Sequence, residues 1–156
     1  MVDDARADGR TPTAPGDARA EGLSGDEDGG VPVVALDASA LMAPVEADLR
    51  LFEELDRLLG GYEAVVPATV TAELDGLQAG NGAEATAASV GADLAERAEP
   101  VETDESYADD ALVALAAAGR VDSVVTVDRP LATRVLDAGT PVIGLRGRNT
   151  LAITEP

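Results

Sequence analysis

The chain of 156 residues contains no cysteine, no histidine, no tryptophan and no lysine, and all eleven of its basic residues are arginine. Without cysteine there is no disulfide framework and no thiolate metal site. Without histidine the commonest general base is missing, and with it the Ser-His-Asp triad and histidine-ligated zinc. The side chains left for chemistry are carboxylates, hydroxyls and arginine. No apolar run approaches the roughly 20 residues of a membrane-spanning helix. The N-terminus lacks a basic segment followed by an apolar one, so no signal peptide is visible. These absences together predict a soluble cytoplasmic protein with no membrane partner.

Aromatics are also scarce, with one Phe and two Tyr. No platform for stacking bases is evident, which argues against strong sequence readout of a single strand. Thirty acids against eleven bases give a net charge of −19. An acidic surface without lysine looks like that of a halophile protein. At about 1 M salt the Debye length is only about 3 Å, so self-repulsion is screened. A GC-rich genome, in which Arg and Ala displace Lys, gives the same bias and is compatible with it.

The length suits one domain. Residues 1–30 are mainly Asp, Glu, Gly, Ala and Pro, and they cannot bury enough surface to offset their ordering entropy. They read as a disordered acidic tail, with a partner-binding arm or a start codon placed too early as the alternatives. Residues 31–156 read as the folded domain. Val31 to Leu36 forms a first strand, apolar enough to be covered on both faces. Ala38 to Leu41 turns into a short helix. After Pro44 a second helix over 46–59 carries Leu49, Phe52, Leu55, Leu58 and Leu59 at helical spacing, and Gly60-Gly61 stops it. Strands follow at 62–66, 100–101, 123–127 and 141–145, with a short edge strand over 150–154. The intervening helices span 67–77, 83–98, 107–118 and 129–138. Alternating strands and helices predict an α/β fold with a central parallel sheet of about five strands.

Two strands end on a carboxylate: Val33-Val34-Ala35-Leu36 runs into Asp37, and Val124-Val125-Thr126-Val127 into Asp128. In open α/β sheets, ligands bind outside the carboxyl ends of the strands. Glu73 lies in the helix after strand two, among small and apolar residues. Asp109 and Asp110 lie in the first turn of the helix before strand four. Each acid taken singly has an ordinary explanation, as a helix cap or as a partner of the helix dipole. Gathered at one sheet edge they would repel one another, and such a cluster needs cations. Hard oxygen ligands suit Mg²⁺ or Mn²⁺. A metal pair about 4 Å apart stabilises the attacking and leaving oxygens of a phosphodiester displacement.

Leu36-Asp37-Ala38-Ser39, Val70-Thr71-Ala72-Glu73-Leu74, Ala108-Asp109-Asp110-Ala111 and Val125-Thr126-Val127-Asp128-Arg129 resemble, in order, the four acidic motifs of PIN-domain ribonucleases. The resemblance covers about residues 31–154. It implies a three-layer α/β/α fold and a metal-dependent endoribonuclease. Asp37, Glu73, Asp109 and Asp128 would then be the catalytic metal ligands, with Asp110 as an alternative or extra ligand. Ser39 and Thr126 would assist by hydrogen bonding or through water. The run from Thr140 to Arg148 is similar to the archaeal branch akin to the small-subunit ribosomal RNA processing nuclease. VapC-type toxins share the same four acids, so an antitoxin is the alternative partner to a ribosome-assembly factor. Related domains often dimerise, so a homodimer is an expectation. A phosphoryl-receiver domain also gathers aspartates at a sheet edge, but it needs a lysine that this chain lacks. A non-catalytic RNA-binding assembly factor is the remaining alternative.

Charge is uneven along the chain. From Arg129 to Pro156 there are four arginines, at 129, 134, 146 and 148, and only two acids. A local basic patch suits a phosphate backbone, with ordinary ion pairing as the alternative. Arg129, Arg146 and Arg148 are the candidate RNA contacts. The acidic composition predicts a melting temperature that falls when molar KCl is removed, measurable by thermal unfolding across a salt series. An unchanged midpoint would contradict the halophile reading.

Overall fold

The computed structural model describes residues 30–156; the acidic-tail expectation for residues 1–30 lies, but for Gly30, outside this range. Strands β1 (Val33–Leu36), β2 (Glu63–Pro67), β3 (Glu99–Val101), β4 (Ser123–Val125), β5 (Val142–Arg146) and β6 (Thr150–Thr154) form one sheet in the order β3-β2-β1-β4-β5-β6. The first five run parallel. β6 returns antiparallel beside β5, with Ile143 opposite Ile153 and Leu145 opposite Leu151. The sheet is therefore mixed and has six strands, where a parallel sheet of about five was expected. The sixth is the short 150–154 segment, which follows β5 through a turn too short for any crossover and can pair only antiparallel.

Six helices connect the strands: α1 (Ala38–Glu46), α2 (Leu51–Leu59), α3 (Ala68–Gln78), α4 (Gly82–Ala95), α5 (Ala108–Ala117) and α6 (Arg129–Asp137). From β1 the chain moves outward to β2 and β3, then returns to place β4 on the other side of β1. Right-handed crossovers put the helices of the two halves on opposite faces of the sheet. In keeping with this, α1 and α3 each pack on α4, while α5 packs on α6. The strand order reverses between β1 and β4, and the carboxyl ends of these two strands form the crevice where doubly wound sheets bind ligands. Asp37 stands at one side of it and Thr126 to Asp128 at the other.

The core is built from aliphatic side chains. Leu36, Leu41, Leu55, Leu74, Leu112, Leu131 and Ile143 are fully buried. The scarce aromatics stay out of the centre. Phe52 lies near the edge under the Arg97 guanidinium, 3.9 Å from its ring centre. Pro44 does not break the helix as expected. α1 runs through it to Glu46, because Leu41, Met42 and Ala43 stay buried and offset the cost of about 3 kcal/mol of an interior proline. The chain bends instead after Glu46, where Asp48 takes a φ of 56°.

Helix α4 approaches its neighbours closely because it presents alanine and glycine. Ala87, Ala88, Gly91 and Ala95 are its buried residues. A Cβ at Gly91 would lie 3.1 Å from the Leu41 carbonyl oxygen and 3.3 Å from Leu74 Cδ2. Gly76 is also helical, but a Cβ there would meet nothing within 4 Å. The two sites predict opposite signs for the same substitution. Gly76→Ala gains up to about 1 kcal/mol of helix propensity. Gly91→Ala loses about 1 kcal/mol or more, since backbone must give way. Denaturant titration of both variants checks the pair.

Candidate active site

Asp37 is the buried centre of the crevice, only 3% exposed. It caps α1, with Oδ1 accepting from the Ala38 amide at 2.8 Å. Its Oδ2 accepts from the Ser39 hydroxyl at 2.6 Å and from the Thr126 hydroxyl at 2.7 Å. Each hydroxyl also accepts a backbone amide proton: Ser39 Oγ from Val127 at 3.0 Å, and Thr126 Oγ1 from Asp128 at 3.0 Å. A hydroxyl has one proton to give, so the 3.1 Å approach between Ser39 and Thr126 is a contact and not a further bond of the relay. β1 and the segment after β4 are thus tied together across the switch point. A bond from the Asp37 amide to the Val125 carbonyl at 3.0 Å closes the same junction.

The segment after β4 is shaped by these bonds. Expected as strand through 127, it leaves the sheet after Val125, because the amides of Val127 and Asp128 are taken by the two hydroxyls. Gly144 leaves room there: a Cβ on it would stand 3.1 Å from the Thr126 carbonyl oxygen. Asp128 then caps α6, accepting from the Leu131 amide at 3.2 Å. Pro130, in the first turn of α6, is tolerated there because a first-turn amide has no helical partner.

Glu73 on α3 and Asp109 on α5 complete the group. Partial removal from water raises the carboxyl pKa of Glu73, and the charges of Asp37, Asp109 and Asp128 raise it further. The same desolvation raises Asp109, followed by the charges of Asp37 and Asp128, while Arg134 opposes the shift. Four acids contributed by β1, α3, α5 and the start of α6 therefore lie within one another's fields. Asp110, the neighbouring alternative, has a different partner. Its Oδ1 accepts from Arg134 at 2.9 Å. A one-residue step on a helix turns a side chain by about 100°, which separates the two aspartates.

Two cavities adjoin the acids. One of about 480 Å³ is lined by Thr126, Asp128, Arg129, Gly144 and Gly147, among others. The other, of about 470 Å³, holds Glu73 and Asp109 together with Tyr107. Of the three candidate arginines only Arg129 lines a cavity at the site. Arg146 ends β5 and Arg148 lies in the following turn, both exposed. Tyr107 was missed in the sequence. Its signal was position, since one of only two tyrosines stands two residues before Asp109.

The mutual repulsion has consequences for stability. A carboxyl whose pKa is higher in the folded state binds protons better folded than unfolded, so its ionisation opposes folding. Glu73 and Asp109 therefore weaken the metal-free protein as pH rises through their titration range, and protonation below it restores that stability. Asp109→Asn, which removes the charge, raises the melting temperature of the metal-free protein at pH 7 and flattens its dependence on pH. Thr126→Val acts in the opposite direction at every pH. It removes a donor to the buried Asp37 and an acceptor for the Asp128 amide, costing about 1–3 kcal/mol. Differential scanning calorimetry of the two variants checks both signs.

The family model described as PIN like domain matches residues 34–148. No curated protein matches the chain. Among solved structures, the fold is similar to that titled "Structure of the PIN domain endonuclease Utp24", with a TM-score of 0.65 and 23% identity over 80% of this chain and 92% of that one. The matched segment runs from within β1 to the turn after β5 and includes all four acids, so the chain belongs to the PIN-like domain family.

Proposed function

We propose that this protein is a metal-dependent endoribonuclease that hydrolyses RNA phosphodiester bonds at the crevice between β1 and β4. The observation that carries the reading is that Asp37 and the segment leading to Asp128 are tied together at the crevice through Ser39 and Thr126, while Glu73 and Asp109 share one cavity. Arg134 on α6 pairs with Asp110 and offsets only part of the repulsion at Asp109. Carboxylates whose mutual repulsion the neighbouring arginine does not cancel fit a hard divalent cation, Mg²⁺ or Mn²⁺. Among the described residues no three acidic side chains already close on a single point.

A bound divalent ion supplies a water of lowered pKa and screens charge on the scissile phosphate. The chain's own residues set the geometry. Asp37 is fixed by two hydroxyls and an amide, so its carboxylate cannot swing away. Asp128 is held by its cap to α6. Glu73, exposed along α3, keeps freedom to adjust to water and substrate. Arg129, beside Asp128 in the same cavity, is placed to meet a backbone phosphate, and Arg146 and Arg148 extend that contact along the surface. Phosphate contacts position a strand without reading its sequence.

Ribosomal RNA processing is the role favoured here, because the similar solved structure is that of the Utp24 endonuclease and the closing segment 140–148 resembles that branch. A toxin of a toxin–antitoxin pair uses the same acids and would come with a small inhibitory partner. The acidic, lysine-free composition supports an archaeal halophile as the source and a cytoplasmic setting. No helix among the described residues is long and apolar enough to cross a membrane.

Asp37→Asn should abolish cleavage of a labelled structured RNA in molar KCl with Mn²⁺, by about a hundredfold or more, while the circular dichroism spectrum stays native. Mn²⁺ should raise the melting temperature of the native protein and have little effect on that of the variant, since an ion bound only by the folded state stabilises it. Cleavage by Asp37→Asn at the native rate would refute the assignment. Absence of both cleavage and metal stabilisation in the native protein would refute the function.

A further inference from the structure

The cavity that contains Glu73 and Asp109 has an aromatic ring at its mouth. Tyr107 is 73% exposed. Phe52 is buried beneath Arg97 and Tyr62 is packed against the core, so Tyr107 is the one strongly exposed aromatic ring among the described residues. Leaving so much ring in water forfeits the gain of burying it, and no packing role explains its placement. Its backbone is fixed all the same. Tyr107 stands just before α5, and its carbonyl accepts from the Ala111 amide at 3.0 Å. The same turn of helix presents Asp109 to the acidic group, so ring and carboxylate are positioned by one rigid element.

The surroundings of the ring suit a flat guest. Ala72 on α3 and Ala108 and Ser106 beside the tyrosine are small, and they leave a cavity of about 470 Å³. That falls in the usual range of about 300–1,000 Å³ for small-ligand sites. Thr69 lies in the same wall, and its hydroxyl is buried without a hydrogen-bond partner. Buried polar atoms are seldom left unsatisfied, and this one stands in the wall that Glu73, Asp109 and Tyr107 share with small side chains. Arg129 lies in the other cavity, beside Asp128. The acidic group is thus flanked by a cation suited to a phosphate and by an aromatic face suited to a base.

We infer that Tyr107 and the cavity behind it form a nucleobase subsite, in which an unpaired base next to the scissile phosphate stacks on the ring while Arg129 holds the strand on the opposite side of the carboxylates. This rests on the endoribonuclease reading and deepens it. The substrate at the site is single-stranded, because a base paired within a duplex cannot leave its stack to lie on the ring. The subsite is tolerant of sequence, since every base has a π-face.

The test compares native protein with Tyr107→Ala and Tyr107→Phe, using a fluorescein-labelled single-stranded oligoribonucleotide, an abasic oligomer of the same length and a duplex of the same sequence. Binding is followed by anisotropy in the presence of Ca²⁺, and cleavage in Mn²⁺. The expected result is that Tyr107→Ala weakens binding of the single strand about tenfold or more, that Tyr107→Phe binds like the native protein, and that neither change alters binding of the abasic oligomer. With no tryptophan in the chain, tyrosine emission is also readable and should be quenched by the single strand and not by the abasic oligomer. Native affinity of Tyr107→Ala for the single strand, with metal-dependent cleavage intact, overturns the subsite and leaves the nuclease standing. Equal loss in Tyr107→Ala and Tyr107→Phe overturns stacking by the ring. A native protein that neither binds nor cleaves any of the RNAs overturns the nuclease reading and the subsite with it.

Discussion

The burial of one carboxylate governs the site. Asp37 lies at the switch point of the sheet, where taking an ionisable group out of water is costly unless its oxygens are satisfied. Satisfaction comes from Ser39, the second residue of α1, and from Thr126, 89 residues further along the chain than Asp37. Because both hydroxyls also accept backbone amides from the segment after β4, neither can rotate away without leaving several buried groups unpaired. The pairing of β1 with β4, the exit of the chain from the sheet at Val125 and the placing of Asp128 at the start of α6 all follow from this small network.

The second layer of the site has a different character. Glu73 and Asp109 are presented by helices from the two halves of the fold, and charge connects them to the strand-end aspartates without any hydrogen bond between them. Repulsion that is not neutralised within the protein is a standing cost to the metal-free fold. Sites that shift pKa values by desolvation and like charge are where function concentrates. The stability given up here is consistent with an arrangement completed by a cation. Asp110, one residue away, pairs with Arg134 while its charge still adds to the repulsion at Asp109.

Packing around the site is achieved with small side chains in place of aromatics. α4 reaches close to α1 and α3 through Ala87, Ala88 and Gly91, and Gly144 lets β5 approach the Thr126 carbonyl. With the core filled by leucine, valine and alanine, the one strongly exposed ring, Tyr107, is left for the surface beside the acids.

The sequence by itself determined the alternation of strands and helices and the placing of the four acids at strand ends and in helices, because these depend on local periodicity and on short motifs. The edge strand 150–154 was legible for the same reason. What only the tertiary structure decided depends on distant partners. Pro44 stays helical because burial of its neighbours outweighs its local preference. The chain leaves the sheet after Val125 because Ser39, far away in the chain, takes the Val127 amide while the Thr126 hydroxyl takes that of Asp128. That Arg134 pairs with Asp110 across the α5–α6 contact is likewise visible only in the fold. Tyr107 carried no periodic signal, and its exposure beside Glu73 and Asp109 arises only when α3 and α5 are brought together over the sheet edge.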